Sequence, residues 1–151
     1  MTTALLFPGQ GAQIVGMGKD LYAASVAARA VFDEANAVLG IDLAKACFEG
    51  PSETLERTDV CQPAILVMSI AALAAAHEKL GRSLEAKAAA GLSLGEYTAL
   101  VAAGALSFRD AVGLVRLRGR AMQEACDAQP STMATVLGAE RAQVEEACRR
   151  G

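Results

Sequence analysis

The chain has 151 residues, of which 14 are basic and 17 acidic, so its formal net charge is −3. A charge this close to neutral excludes a surface built mainly to bind polyanions. Hydrophobic residues make up 53% and charged residues 21% of the sequence, the composition of a folded domain and not of a disordered segment. Tryptophan is absent and aromatic residues amount to 4%, which argues against base stacking on single-stranded nucleic acid. We therefore expect a folded domain without a nucleic-acid partner.

Cysteine usage and the length of the apolar segments bear on the compartment. The four cysteines are Cys47, Cys61, Cys126 and Cys148. They form no C-x-x-C pair and have no histidine nearby, so we expect reduced residues in the core and no metal site. Residues 1–7 lack the features of a signal peptide, and the longest apolar run, residues 64–76, is shorter than the roughly 18 residues of a membrane span. The prediction is a soluble cytoplasmic protein without a membrane partner.

The first half of the chain predicts one strand followed by helices. The apolar run at residues 4–7 ends at a Pro-Gly pair, the pattern of a buried strand that enters a turn. Apolar residues at helical spacing predict a helix over residues 21–39, which Gly40 ends. Ser52 is the predicted N-cap of another helix. A long alanine-rich helix then follows, from after Asp59 to Leu80.

The second half alternates strands and helices. The predicted elements are a strand at residues 86–90, a helix at residues 96–103, a helix that Ser107 opens and that runs to about Ala125, a strand at residues 132–137 and a helix from residue 139 onward. Ser107 and Asp110 form a variant of the capping box at the start of the longest of these helices. Helices alternating with short buried strands predict an α/β fold with a mainly parallel sheet.

The end of the chain suggests an incomplete unit. The polar stretch at residues 127–131 separates a helix from a new strand and helix, so we expect a domain seam near Pro130. The final predicted helix reaches Gly151 without a cap or a tail. We therefore expect these residues to belong to a longer chain.

The strongest local signal is the sequence GLSLG at residues 91–95, set between a strand-like run and a helix. A serine held in a tight strand-to-helix turn has strained backbone angles, and the positions two before and two after it must be nearly free of side chain. Gly91 and Gly95 meet that requirement. The pattern can also occur by chance in a chain rich in glycine and alanine, but its context favours Ser93 as a nucleophile. The amide of Leu94, at the start of the next helix, is then a natural oxyanion donor.

A second signal is an arginine on an apolar helix face. At about 100° per residue, one stripe of the helix after Ser107 contains Ala111, Val115, Arg118 and Met122. The other arginines, Arg109, Arg116 and Arg120, project from the opposite, solvated face. A buried guanidinium requires an anionic partner. The residues alone leave two partners open for Arg118, an internal carboxylate, which they favour, or a ligand carboxylate.

Two other features have weaker implications. The glycine-rich loop at residues 8–13 fails the spacing of phosphate-binding motifs, so it is either a backbone donor after the first strand or an ordinary tight turn. His77, the single histidine, lies upstream of Ser93 on a helix, and we expect it to be solvated and not to act as the base. A serine without a base is a poor nucleophile, so the sequence lacks one essential group.

Four ordered motifs resemble those of malonyl-CoA:acyl carrier protein transacylases. They are FPGQGAQ at residues 7–13, QPA at residues 62–64, GLSLGEY at residues 91–97 and RLRG at residues 116–119. The resemblance extends along the whole chain but covers about the first half of such an enzyme. It implies an α/β, parallel-sheet, hydrolase-like large subdomain, present in part as residues 1–129, and the truncated beginning of a small ferredoxin-like subdomain at residues 130–151.

The resemblance also implies roles for individual residues. Ser93 would attack the malonyl thioester, the amides of Gln10 and Leu94 would form the oxyanion hole, and Arg118 would bind the malonyl carboxylate in place of an internal salt bridge. Malonyl would pass from coenzyme A to Ser93 and then to the phosphopantetheine thiol of acyl carrier protein in fatty-acid biosynthesis, without a cofactor. The family usually has histidine where this chain has Leu92, for which we expect altered packing or acyl preference.

The resemblance places the catalytic histidine outside these residues, so we expect the 151-residue chain alone to be inactive and the full-length enzyme to be a monomer. Three alternatives remain at this stage. One is an acyltransferase of a polyketide synthase. The second is a serine esterase with the same elbow, and the third is a fragment that binds without catalysing.

Overall fold

The computed structural model describes residues 2–129 and 136–150. In chain order its elements are β1 (Ala4–Phe7), α1 (Lys19–Ala24), α2 (Val26–Leu39), α3 (Leu43–Glu49), α4 (Ser52–Glu56), α5 (Thr58–Leu80), β2 (Ala88–Gly91), α6 (Leu94–Ala102), α7 (Phe108–Ala128) and α8 (Arg141–Arg150).

The two strands form a small parallel sheet. β1 pairs with β2 in a register that runs from Ala4 opposite Ala88 to Phe7 opposite Gly91. The helical segment between them makes the crossover that a parallel pair requires, which confirms the predicted α/β class. β1 is less buried than predicted, since Leu6 is 78% exposed. Within the described residues α6 packs on both strands, while alternate strand residues such as Leu6 face solvent.

The core lies among the long helices. α2, α6 and α7 all pack against α5, whose fully buried side chains include Leu66 and Val67. By length and composition alone, α5 is apolar enough to cross a membrane, and half of its most apolar window is buried inside the protein. Its position among three packed helices is that of the core helix of a globular fold.

Helix α7 packs tightly against the start of α5 at Gly119. A Cβ atom at this position would lie 2.6 Å from the carbonyl oxygen of Thr58. The amide of Thr58 donates a 3.1 Å hydrogen bond to the side-chain oxygen of Gln123, and Arg116 donates to the Asp59 carbonyl oxygen at 2.9 Å. The start of α5 is therefore fixed against the middle of α7.

The predicted helix over residues 21–39 is two helices, because Ser25 has an extended backbone (φ −125°, ψ 125°). Its hydroxyl oxygen accepts from the amide of Ala28 at 3.0 Å, which caps α2, and its hydroxyl donates to Glu78 of α5. Serine favours such caps over helix interiors because its side chain competes for backbone hydrogen bonds. A periodicity of apolar residues cannot detect this break.

Two further helix starts differ from the sequence prediction. Helix α3 has no predicted counterpart; Asp42 caps it by accepting from the Lys45 amide at 2.9 Å, and Asn36 accepts from the amide of Leu43. Ser52 is the first residue of α4 and not its N-cap, a position that Pro51 occupies without a side-chain hydrogen bond. By contrast, Ser107 caps α7 as predicted.

The four cysteines differ in burial. Cys47 and Cys61 are buried as predicted, whereas Cys126 and Cys148 are exposed, so the prediction of four core cysteines is wrong.

At the end of the chain, the seam near Pro130 and residues 132–135 of the predicted strand lie outside the described residues. Residues 136 and 137 are exposed and belong to no strand, and the final predicted helix is present as α8.

Candidate active site

Ser93 lies between the end of β2 and the start of α6. Its φ of 54° and ψ of −105° make it the one non-glycine residue with positive φ in the described part of the chain. Such a conformation costs on the order of 1–3 kcal/mol and is concentrated at functional sites. The side chain of Ser93 is exposed to solvent. The strained, accessible serine that the motif predicts is therefore present.

The two flanking glycines are required by contacts with backbone atoms. A Cβ at Gly91 would lie 1.9 Å from the carbonyl carbon of Gly95, and a Cβ at Gly95 would lie 2.4 Å from the carbonyl oxygen of Phe7. Neither neighbour is a flexible side chain that could turn away. The steric argument made from the motif is confirmed, and its physical basis is the close approach of the start of α6 to the ends of both β1 and β2.

The loop after β1 lies directly beside the serine turn. The amide of Leu92 donates to the carbonyl oxygen of Phe7 at 3.2 Å, and a Cβ at Gly9 would be 2.8 Å from the carbonyl oxygen of Leu92. This proximity brings the next residue, Gln10, close to the turn. The amide of Gln10 makes no hydrogen bond with any described residue, and the amide of Leu94 opens α6, where helical N–H groups have no acceptor within the helix. Both candidate oxyanion donors are thus available, although their role stays a prediction.

The side chain of Leu92 takes no part in this turn. It is 73% exposed, and the contacts that fix the turn are made by its backbone. Leucine at this position therefore leaves the backbone contacts of the turn intact. The predicted effect on acyl preference stays a prediction.

Arg118 lies half-buried beside the serine. One guanidinium nitrogen, Nη2, donates to Ser93 Oγ at 2.9 Å, and the other, Nη1, donates to the Gln62 side-chain oxygen at 2.6 Å. No carboxylate among the described residues forms an ion pair with Arg118. The internal salt bridge that the residues alone favoured is wrong for the described part of the chain, since the two acceptors there are neutral. No anion of the described residues compensates the guanidinium charge beside Ser93.

Arg116 behaves differently from its sequence prediction. It was placed on the solvated face of α7, but it is half-buried and its Nη2 lies 3.6 Å from Asp59 Oδ2. Asp59 is itself 8% exposed and also pairs with Arg57 at 3.1 Å. The long side chain of Arg116 reaches the start of α5, although its backbone position lies outside the apolar stripe of α7. Helix α7 therefore carries one arginine with a carboxylate partner, Arg116, and one that has none among the described residues, Arg118.

Gln62 is a site residue to which the sequence analysis assigned no role. It is fully buried in α5, where it accepts from Arg118. Its amide nitrogen lies 3.2 Å from Met122 Sδ and 3.5 Å from the side-chain oxygen of Gln10. A glutamine within the apolar stretch of a core helix requires hydrogen-bond partners. The polar residue in an otherwise apolar helix segment was therefore the sequence signal that could have identified Gln62.

His77 is not placed to act on Ser93. It lines a pocket with Leu5, Lys87 and Ala88, at the beginning of β2, whereas Ser93 follows the end of that strand. Rejection of His77 as the base therefore agrees with the structure. The expectation of a solvated side chain is met only in part, because the residue is half-buried and its Nε2 is buried without a hydrogen-bond partner among the described residues.

A parallel strand pair that leads through a strained serine into a helix defines an α/β protein whose strand-to-helix turn has the geometry of a nucleophile elbow. Residues 4–150 match the profile of the acyl transferase domain. The chain belongs to this family.

Individual relatives have narrower names. The chain is 49% identical over 150 residues to the probable malonyl-CoA-acyl carrier protein transacylase, mitochondrial, of Drosophila melanogaster, an alignment of 99% of this chain and 39% of that protein. It superposes with a TM-score of 0.88 and 39% identity on the crystal structure of the malonyl-CoA:acyl carrier protein transacylase of Helicobacter pylori, covering 99% of this chain and 48% of that one. A malonyl-transacylase in complex with a type II PKS acyl-carrier protein gives a TM-score of 0.84 and 38% identity, with 99% and 48% covered. The chain thus spans less than half the length of these relatives.

Proposed function

We propose that this chain supplies the nucleophile, the oxyanion donors and the carboxylate-binding group of a malonyl-CoA:acyl carrier protein transacylase. The observation that carries the proposal is the 2.9 Å contact between Arg118 Nη2 and Ser93 Oγ, made by a guanidinium that no described carboxylate neutralises. In a malonyl group the free carboxylate is separated from the thioester carbonyl by a single methylene. An acyl group on Ser93 with this chemistry would bring its negative charge to Arg118.

The first half-reaction follows from these positions. Ser93 Oγ attacks the thioester carbonyl, and the negative charge on the carbonyl oxygen is stabilised by the amides of Leu94 and Gln10. The carbon–sulfur bond breaks, coenzyme A leaves as the thiol with the proton from Ser93, and a malonyl ester remains on the serine. In the second half-reaction the phosphopantetheine thiol of the carrier attacks that ester, and Ser93 recovers its proton. Two successive transfers of this kind constitute a ping-pong mechanism.

Proton transfer requires a base that the described residues do not place beside Ser93. His77 is the single histidine of the sequence and lies at the other end of β2. We propose that the base belongs to additional polypeptide, in keeping with relatives of more than twice this length. On this proposal, residues 1–129 are part of a hydrolase-like large subdomain and residues 130–151 begin a ferredoxin-like small one.

The carrier partner is proposed from the names of the relatives. The mitochondrial relative is named for acyl carrier protein, and a neighbouring structure contains a type II PKS acyl-carrier protein. We therefore propose a carrier protein of fatty-acid synthesis, with a polyketide carrier as the second candidate. The Drosophila relative is named as mitochondrial, so the cytoplasmic location of this chain stays a prediction. The monomeric state of the full-length protein also stays a prediction.

The test is acyl loading of the full-length protein, followed by intact-mass spectrometry and peptide mapping. Incubation with malonyl-CoA is expected to give a malonyl adduct on Ser93, and Ser93→Ala is expected to abolish it. Arg118→Ala removes a charge-assisted contact of about 1.5–3 kcal/mol, so malonyl loading should fall roughly 10- to 100-fold. Acetyl loading should fall much less because acetyl has no carboxylate.

Arg120→Ala is the matched control, because Arg120 is an exposed cation on the same helix two positions away. It should leave both loading rates near those of the parent protein. An adduct that persists in Ser93→Ala would refute the nucleophile. Ready hydrolysis of simple esters without sensitivity to Arg118 would favour the esterase, and equal losses of malonyl and acetyl loading in Arg118→Ala would contradict the carboxylate role.

A further inference from the structure

Helices α5 and α7 are joined by two arginine contacts that differ in the charge of the side chain beside the guanidinium. Arg116 donates its hydrogen bond to the backbone carbonyl oxygen of Asp59 at the start of α5, and its Nη2 lies 3.6 Å from the Asp59 carboxylate, with which it forms an ion pair. Arg118, two positions further along α7, donates to Gln62, a neutral amide three positions further along α5. The two acceptors are both largely buried, Asp59 at 8% and Gln62 at 0% exposure. The structure thus allows a comparison between a guanidinium paired with a carboxylate, Arg116, and one that is paired with no carboxylate of the described residues, Arg118.

The chemistry of Gln62 explains how Arg118 can be held without being neutralised. A hydrogen bond of 2.6 Å to a carbonyl oxygen fixes the orientation of the guanidinium, but an amide carries no charge. A glutamate in the same place would accept the same hydrogen bond and form a buried ion pair, which would oppose binding of a second anion. The identity of the acceptor therefore controls whether Arg118 is free to bind an incoming carboxylate.

Gln62 also lies between the two halves of the site. Its side-chain nitrogen is 3.5 Å from the Gln10 side-chain oxygen, and Gln10 in turn is 3.4 Å from the Thr58 hydroxyl. One buried side chain thus contacts both the residue that faces Ser93 Oγ and the loop that carries a candidate oxyanion donor. Its position is suited to set the distance between them.

We infer that Gln62 is a specificity-determining positioning residue, whose neutral side chain holds Arg118 beside Ser93 and leaves the guanidinium charge for an acyl carboxylate. The inference rests on the proposed function, because it assigns a cause to the preference for a carboxylated acyl group. Gln62 acts through Arg118 and does not itself touch the acyl chain.

The test compares two substitutions at Gln62. The inference predicts the larger effect for Gln62→Glu, whereas a purely structural role predicts the larger effect for Gln62→Met. Gln62→Glu keeps the shape and the acceptor but neutralises Arg118, whereas Gln62→Met keeps the approximate volume and loses the acceptor without adding charge. The readout is the ratio of malonyl to acetyl loading of Ser93 in the full-length protein. This ratio is insensitive to a reduced fraction of folded protein, because both acyl groups are loaded on the same molecules.

We expect the ratio to fall about tenfold or more in Gln62→Glu and by a smaller factor in Gln62→Met. Gln123→Glu is the control, since it places the same change at the same helix pair and retains the acceptor for the Thr58 amide; its ratio should match that of the parent. A ratio in Gln62→Glu equal to the parent value, or a larger fall in Gln62→Met than in Gln62→Glu, would overturn the inference. Failure of the parent protein to load malonyl would instead refute the proposed function.

Discussion

Alanine substitution at two glycines of the same helix should change stability by clearly different amounts. Gly113 and Gly119 both lie within α7. A Cβ at Gly113 would meet no atom within 4 Å, whereas a Cβ at Gly119 would lie 2.6 Å from the Thr58 carbonyl oxygen and 2.9 Å from the Asp59 Cα. The pair therefore separates the intrinsic helix preference of alanine from the effect of the contact with α5.

The magnitude follows from the geometry. Ordinary contact begins near 3.4 Å, so the backbone near Thr58 must move away from residue 119 by about 0.8 Å, the difference from 2.6 Å, and overpacking of this kind costs about 1–3 kcal/mol. Alanine in place of glycine within a helix stabilises by about 1 kcal/mol. Gly113→Ala should thus raise the free energy of unfolding by about 1 kcal/mol. Gly119→Ala should lie about 1–3 kcal/mol below Gly113→Ala.

Urea unfolding of the full-length protein, followed by circular dichroism and fitted with a common slope, measures this difference. Since both variants gain the same helix preference, subtraction leaves the contact alone. Equal stabilisation by the two substitutions would refute the close approach of α7 to α5. The approach also matters for the site, because residue 119 adjoins Arg118, and a shift of this size would disturb its hydrogen bond to Gln62.

Two more predictions concern the elbow and the buried thiols. Gly95→Ala should abolish acyl loading for malonyl and acetyl alike, because its Cβ would lie 2.4 Å from the Phe7 carbonyl oxygen; normal loading of a well-folded variant would contradict the steric argument. Burial raises the pKa of the Cys47 thiol to about 12 and that of Cys61 to about 11, so both should resist a thiol reagent near pH 8, at which exposed Cys148 should react. In the unfolded chain these two thiols lose their protons at a lower pH, near 8.5. The free energy of unfolding should therefore fall as pH rises from about 8.5 toward 12. Cys47→Ala removes one of the two thiols and should weaken that pH dependence.

The parts of the site that could be predicted from sequence are those whose causes are local. The elbow requires two glycines at fixed distances from Ser93, and both the strained backbone of Ser93 and the clash that a Cβ at Gly91 would make with Gly95 arise within the same five residues. Helix α7 was predictable for the same reason, since Ser107 and Asp110 form its cap within one turn. The contact of Gly95 with Phe7 is the exception, because it arises only when α6 packs on β1.

The partners of Arg118 could not be predicted, because they come from elsewhere in the chain. The apolar stripe identified a guanidinium that needs an acceptor, but Gln62 lies 56 positions away and Ser93 lies 25 positions away. Periodicity shows which face of a helix is covered and not which helix covers it. The same reasoning explains Arg116, whose partner Asp59 becomes adjacent only after α5 and α7 have packed together.

The elbow and the arginine are positioned by different parts of the fold, and this separation has a functional consequence. The end of β1 and the start of α6 fix Ser93, whereas the contact between α5 and α7 fixes Arg118. Ser93 and Arg118 are joined by a hydrogen bond of 2.9 Å. A change in the first unit should therefore affect loading of every acyl group, while a change in the second should alter the preference among acyl groups. On this argument, Gly119→Ala should reduce malonyl loading more than acetyl loading, although residue 119 contacts neither the serine nor the acyl chain.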